Sequence, residues 1–163
     1  MKVFIDEDCG TGIPKSLKLV KMPSDDIVYP SNHPPIRFGT KDPEWLRWVG
    51  ENRYLALSSN HKILENANEF PLILQYQVGI VFVDNGEYPT WACLRMFMNR
   101  WEWLQAIDRT ERPFVYLVGL AGKPVPYDLT KGLRPPRPLR QPALHSVAPA
   151  PPLPRPGQQI QLL

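Results

Sequence analysis

Lys2-Val3-Phe4-Ile5-Asp6-Glu7-Asp8 is the stretch on which the reading of this chain turns. Val3, Phe4 and Ile5 are apolar without alternation, the pattern of a short β-strand covered on both faces. Open α/β sheets gather their chemistry at the carboxyl ends of such strands, and here that end carries three acids. Adjacent carboxylates repel one another, and a cation or solvent relieves the repulsion. The run by itself also allows a plainer reading, in which Asp6 starts a turn and Glu7 and Asp8 are the solvated acidic side of the next helix.

Working outward, runs rich in Val, Ile, Phe and Tyr recur over 3–5, 27–29, 54–57, 78–83 and 114–120. Helical spacing fills several of the gaps. Pro14 suits the first turn of a helix, with Leu17 and Val20 expected on its buried face. Trp45, Leu46, Trp48 and Val49 repeat the pattern. Over 89–108, Trp91, Leu94, Met98, Trp101, Leu104 and Ile107 recur at steps of three and four and predict one long helix with a core-facing stripe. Arg95 and Arg100 alternate with Trp91, Trp101 and Trp103, which also suits an RNA-stacking face, but the spacing favours burial. Trp103 falls off the stripe and is the candidate for a partner contact. The expected fold class is α/β, three-layer α/β/α with a mainly parallel central sheet.

The chain has 163 residues, room for one folded unit. Nine of its 20 prolines fall between Pro135 and Pro156, which divides it into a domain over 1–129 and a Pro/Arg-rich disordered tail over 130–163. Lys131, Arg134, Arg137, Arg140 and Arg155 give the tail a charge of +5 with no acid, so 14 of the 19 basic and all 16 acidic residues lie in the domain, a net of −2. The basic balance therefore belongs to the tail and does not indicate a basic nucleic-acid groove on the domain. Two cysteines, Cys9 and Cys93, are too few for a disulfide framework and lack a zinc-ligand pattern. No stretch reaches the length of a membrane span and no secretion signal opens the chain. A soluble, cytoplasmic protein is expected.

Gly10-Thr11-Gly12 follows the first strand, but the third glycine of a dinucleotide fingerprint is missing and carboxylates stand where a pyrophosphate would approach. No Gly-x-Ser-x-Gly elbow exists, and His33, His61 and His145 have no evident catalytic partners. Asp42-Pro43-Glu44-Trp45 reads as a helix start with Asp42 as N-cap and Pro43 at the first helical position. Ser58-Ser59-Asn60 follows a strand, with Asn60 placed to cap the helix that begins at His61. In a doubly wound sheet, Asp6, Asp42 and Asn60 converge on one crevice.

The succession Phe4-Ile5-Asp6-Glu7-Asp8, Thr40-Lys41-Asp42-Pro43-Glu44-Trp45-Leu46 and Leu55-Ala56-Leu57-Ser58-Ser59-Asn60-His61-Lys62-Ile63 resembles the PIN-like domain family, in particular its compact bacterial branch of VapC-type toxin ribonucleases. The resemblance spans about residues 2–120. It implies a metal-dependent endoribonuclease, the toxin of a toxin–antitoxin pair, in which Asp6, Asp42 and Asn60 are the catalytic and metal-binding positions and Mg²⁺ or Mn²⁺ activates a water. Position 60 carries an amide where the family has a carboxylate, and Ser58-Ser59 replaces a Thr-Arg pair. Glu7, Asp8, Glu44 and Asp84 are further candidates for supplying charge to the metal. RNA as substrate, an antitoxin protein as partner and a possible homodimer follow from the same resemblance. The neutral Asn60 keeps a second reading open: a catalytically impaired PIN-like domain that binds RNA or protein. A phosphate- or nucleotide-binding regulator is a third, against which the acidic strand end argues. For the tail, Pro-x-x-Pro spacing with arginines suggests polyproline II, with RNA phosphates or an acidic antitoxin as its contacts.

Overall fold

Val3 and Ile5 project to one side of the first strand and Phe4 to the other, and all three are fully buried. A strand with two covered faces must have helices above and below it. The computed structural model describes residues 1–20, 25–31, 34–84 and 88–133 and has that architecture. The strands are β1 (Lys2–Ile5), β2 (Asp26–Val28), β3 (Leu55–Ser58), β4 (Gly79–Val83), β5 (Phe114–Val118) and β6 (Val125–Pro126). They form one sheet in the order β2-β1-β3-β4-β5-β6, in which every pairing is parallel except β5 with β6. The expected α/β/α fold with a mainly parallel sheet is therefore observed.

β1, β3, β4 and β5 each feed both layers of core. Ile5, Leu55, Leu57, Val81 and Val83 pack against α1 (Gly12–Val20), α4 (Thr90–Asn99) and α5 (Trp101–Asp108). Phe4, Ala56, Ile80 and Phe82 pack against α2 (Asp42–Asn52) and α3 (Phe70–Gln75), where Trp45 stacks on Phe4 with ring centroids 5.2 Å apart. Gly50 lets α2 ride against the Tyr76 backbone, which a Cβ would strike. That close approach fixes α2, and with it Asp42 at its amino end.

Several local expectations need correction. The helix expected over 89–108 is two, α4 and α5, broken at Arg100 (φ −114°, ψ 9°), whose guanidinium donates to the carbonyls of Met96 and Gly122. The buried stripe is Cys93, Met96 and Phe97, continued by Leu104 and Ile107. Trp91 and Met98, at 61% and 50% exposure, lie outside it. Two apolar stripes compete on this sequence, and the buried one, through Cys93, Phe97, Leu104 and Ile107, keeps its spacing across the break at Arg100. Trp103 is half-buried and meets Tyr116 edge-on at 5.3 Å, so it packs on the sheet. Val20 is exposed at the last residue of α1, and the buried face there is Ile13, Pro14 and Leu17.

Lys41, not Asp42, is the N-cap of α2, and Asp42 and Pro43 are its first two residues. Asp42 still favours the helix as an acid in the first turn, but its side chain is engaged elsewhere. Asn60 caps a short 3-10 turn, His61–Leu64, where a helix start was expected. The strand β6 and a 3-10 turn over Leu129–Lys131 extend the described structure beyond β5, with Tyr127 Oη donating to the Gly132 carbonyl. From residue 134 onward the Pro/Arg-rich tail lies outside the described residues, as do His33 and His145.

Candidate active site

Asp6 is the first residue past β1, and its backbone N–H still donates to Leu57 on the neighbouring strand. Extended at φ −62° and ψ 153°, it caps the 3-10 turn Glu7–Cys9, with Oδ1 accepting from the Glu7 N–H at 2.7 Å. The parallel register of β1 and β3 sets Ser58, the last residue of β3, beside it. The Ser58 hydroxyl donates to Asp6 Oδ2 at 2.6 Å and accepts from the Asn60 N–H at 3.0 Å. The Asn60 amide in turn donates from Nδ2 to Asp42 Oδ2 at 3.1 Å, while its Oδ1 accepts from the Lys62 N–H at 3.3 Å. Asp42 Oδ1 accepts from the indole N–H of Trp45 at 2.8 Å. Asp6, Ser58, Asn60, Asp42 and Trp45 thus form one hydrogen-bonded chain across the carboxyl edge of the sheet.

The electrostatics of this edge are strained. Asp6 is only 4% exposed, and its pKa is pushed up from 3.8 to about 6. Burial is the main cause. The Ser58 and Glu7 hydrogen bonds pull the other way, and the charges of Asp8 and Asp42 add to the rise. The Asp8 carboxyl is likewise raised, first by burial and then by Asp42 and Glu7, against a lowering influence from Lys62. Glu69, just before α3, is raised by burial and by Asp42. Asp6, Glu7 and Asp8 at the first strand end, Asp42 at the start of α2 and Glu69 before α3 thus form a cluster of like charge in which Asp42 is felt at Asp6, Asp8 and Glu69.

An open cleft of about 570 Å³ adjoins this chain, lined by Asp8, Ser59, Asn60, His61, Lys62 and Glu65. Glu7 has a different place: its Oε2 accepts from the Gly39 N–H at 2.9 Å and ties the loop before α2 to the strand end. Glu44 is exposed in the first turn of α2. Asp84 ends β4 on the same sheet edge, where its N–H donates to Val118 and its charge is felt at the Cys93 thiol.

The profile of the PIN-like domain family matches residues 1–85. The chain belongs to the PIN-like domain family. The matched region runs from β1 through β4 and holds Asp6, Asp42, Asn60 and Asp84, and the PIN-like domain is in general a nuclease fold. Searches of curated proteins and of solved structures found no match.

A divalent cation of the kind associated with PIN-like domains needs oxygen donors and excess negative charge. Asp6 and Asp42 meet both needs, because each offers carboxylate oxygens and Asp6 is held amid like charge that a cation would relieve. Asn60 turns its N–H toward Asp42, so here it orients that carboxylate. Among the described residues, no group of three or more His, Cys, Asp and Glu side chains is placed to hold a metal ion. Asp6 and Asp42 are two carboxylates linked through the Ser58 hydroxyl and the Asn60 amide.

Sequence reasoning passed over Ser58, Trp45, Lys62 and Glu69. Ser58 carried a faint signal, a hydroxyl closing an otherwise apolar strand. Trp45 was read only as core, yet its indole N–H reaches Asp42 from a buried ring. Glu69 lies 27 residues from Asp42 in the chain, and no local pattern links the two.

Proposed function

We propose that this PIN-like domain is a metal-dependent endoribonuclease, the toxin of a toxin–antitoxin pair, cleaving RNA phosphodiester bonds at the carboxyl edge of its sheet. The observation that carries the reading is the chain linking Asp6 to Asp42 through Ser58 and Asn60, with Asp6 buried among like charges. The resemblance of the three sequence segments to VapC-type ribonucleases carries the toxin assignment, and with it an antitoxin partner, a homodimer and a cytoplasmic place of action. Among the described residues, no helix is long and apolar enough to cross a membrane.

Asp6 and Asp42 would hold Mg²⁺ or Mn²⁺. The chemistry such an ion supplies is a lowered pKa for water and compensation of charge on a phosphoryl oxygen. The protein's own residues supply the geometry. Ser58 and the Glu7 N–H fix both oxygens of Asp6, and Trp45 and Asn60 fix both oxygens of Asp42, so neither carboxylate must reorganise to act. Lys62 lines the cleft beside Asp8 and offers a positive charge to an RNA phosphate.

Asn60 favours a second reading. By donating to Asp42 it satisfies that carboxylate without a cation, which suits a catalytically impaired domain that acts by binding. Cleavage of a labelled single-stranded RNA by wild type, Asp6→Ala and Asn60→Asp in Mg²⁺ and Mn²⁺ separates the two. Wild-type cleavage that falls by roughly 100-fold or more in Asp6→Ala supports the nuclease. An inactive wild type restored by Asn60→Asp identifies the impaired site, and inactivity of every variant in both metals sinks the nuclease reading.

A further inference from the structure

The loop Ile36-Arg37-Phe38-Gly39-Thr40 leads into α2 and is held from several sides. Ile36 is buried in the core with Phe4 and Trp45. The Ser31 N–H donates to the Ile36 carbonyl at 3.1 Å and the Phe38 N–H to the Ser31 carbonyl at 3.2 Å. Thr40 donates from both N–H and Oγ1 to the Arg37 carbonyl, and the Gly39 N–H reaches Glu7. Gly39 sits at φ +75°, a conformation that L side chains rarely adopt, which lets the chain turn directly after Phe38. The backbone of Phe38 is therefore fixed, yet the residue is 48% exposed. An exposed apolar side chain is not by itself unusual; what singles out Phe38 is its fixed backbone and its place beside Asp6 and Glu7.

Phe38 lines one narrow crevice together with Asp6, Glu7, Gly10, Thr11 and Tyr29, on the β2 side of the carboxylates. Lys18 lies over the Tyr29 ring at 4.8 Å, and Arg37 and Lys41 flank the loop with exposed positive charge. The open cleft with Lys62 lies on the β3 side. An exposed ring on a fixed backbone beside the proposed phosphodiester site, with Arg37 and Lys41 nearby in the chain, suits a grip on single-stranded nucleic acid in which a base stacks on the ring while the backbone meets the charges. We infer that Phe38 is the stacking platform for an unpaired nucleobase of the RNA, seated on the β2 side of Asp6 while the strand continues past Asp42 toward Lys62. The inference rests on the proposed RNA substrate. Stacking on a phenyl ring reads no base edge, so the site accepts any base.

The test is fluorescence anisotropy of a short labelled single-stranded RNA with the full chain, in Ca²⁺, with the RNA checked for integrity afterwards. The proteins are wild type, Phe38→Ala, Phe38→Leu and Phe38→Trp, and the RNAs are an intact series and a series with one abasic nucleotide moved along the strand. Phe38→Ala and Phe38→Leu should each weaken binding by roughly 5- to 100-fold, and Phe38→Trp should retain it. One abasic position should weaken wild type by a similar factor and add little to Phe38→Ala. Wild type that binds RNA with an affinity insensitive to Phe38→Ala, Phe38→Leu and every abasic position overturns the platform and leaves the nuclease reading standing; that outcome would turn Phe38 into a contact for protein. Wild type that fails to bind any of the RNAs overturns the substrate reading and the platform with it. The abasic series on wild type decides the matter even where a variant is unstable.

Discussion

The two edges of the parallel sheet handle charge in opposite ways. At the amino edge, opposite charges are joined: the Met1 ammonium meets Asp25 at 3.0 Å with both groups buried, and Arg112 meets Asp108 at 2.6 Å. Trp101 adds an indole N–H to Asp25, Arg112 donates to the Tyr54 carbonyl, and the Tyr54 hydroxyl donates to Asp26. At the carboxyl edge, the donors that reach Asp6 and Asp42 are a hydroxyl, a backbone N–H, an indole and an amide, all neutral. Charge is cancelled at one edge and kept in surplus at the other. The first arrangement joins the segments that precede the strands; the second leaves carboxylates whose charge the neighbouring donors do not cancel.

Removing one partner at each edge should have opposite signs. The largest effect is expected for Arg112→Ala at the amino edge. It leaves Asp108 without its cation and the buried Tyr54 carbonyl without a donor; breaking a fully buried pair costs about 3–5 kcal/mol, and because Asp108 is only half-buried the loss should fall at the low end of that range. Urea unfolding measures this directly, and a loss below about 1 kcal/mol would erase the contrast between the edges.

Asp6→Asn should instead stabilise the metal-free protein, and only above a certain pH. The folded state holds the Asp6 proton more tightly than the unfolded chain, so Asp6 favours folding most when protonated, and stability declines as pH rises from 3.8 through about 6. Fully developed, that penalty is about 3 kcal/mol. An uncharged Asn avoids it. Thermal melts in a chelator should show the variant gaining stability over wild type at about pH 8, with the gain vanishing near pH 4. Equal melting curves at both pH values would mean that no surplus charge is stored at this edge.

The smallest effect belongs to Ser58→Ala, which deletes the hydroxyl bridging Asp6 and the Asn60 N–H. A hydrogen bond to an ionised carboxylate contributes about 1.5–3 kcal/mol and one to a neutral acid about 1 kcal/mol. The variant should therefore lose more stability at about pH 8 than near pH 4. A loss independent of pH would show that the hydroxyl serves packing and not the charge on Asp6.

Much of this edge was legible in the sequence because its parts are local. The short unbroken apolar runs of β1 and β4 have the pattern of strands with two covered faces, and Asp6 and Asn60 are cap residues that follow strands. What escaped notice depends on distance or on phase. Ser58 matters because β3 lies beside β1, and Glu69 because the segment before α3 folds back on Asp42. The break at Arg100 is held in part by a carbonyl 22 residues away, which a window over α4 and α5 does not contain, and Trp91 lies on the competing apolar stripe that stays exposed. Asp42 as a cap was a sound local guess, displaced by one residue because its oxygens serve Trp45 and Asn60 instead.

Among the described residues, the one antiparallel strand has a consequence for the margin of the sheet. β6 borders the sheet with two residues, Val125 and Pro126, and a proline has no N–H to give. An incoming extended segment would find almost no ladder to join along that margin. Spontaneous sheet growth into fibres is blunted there by composition alone, and any partner that recognises this side must do so through side chains.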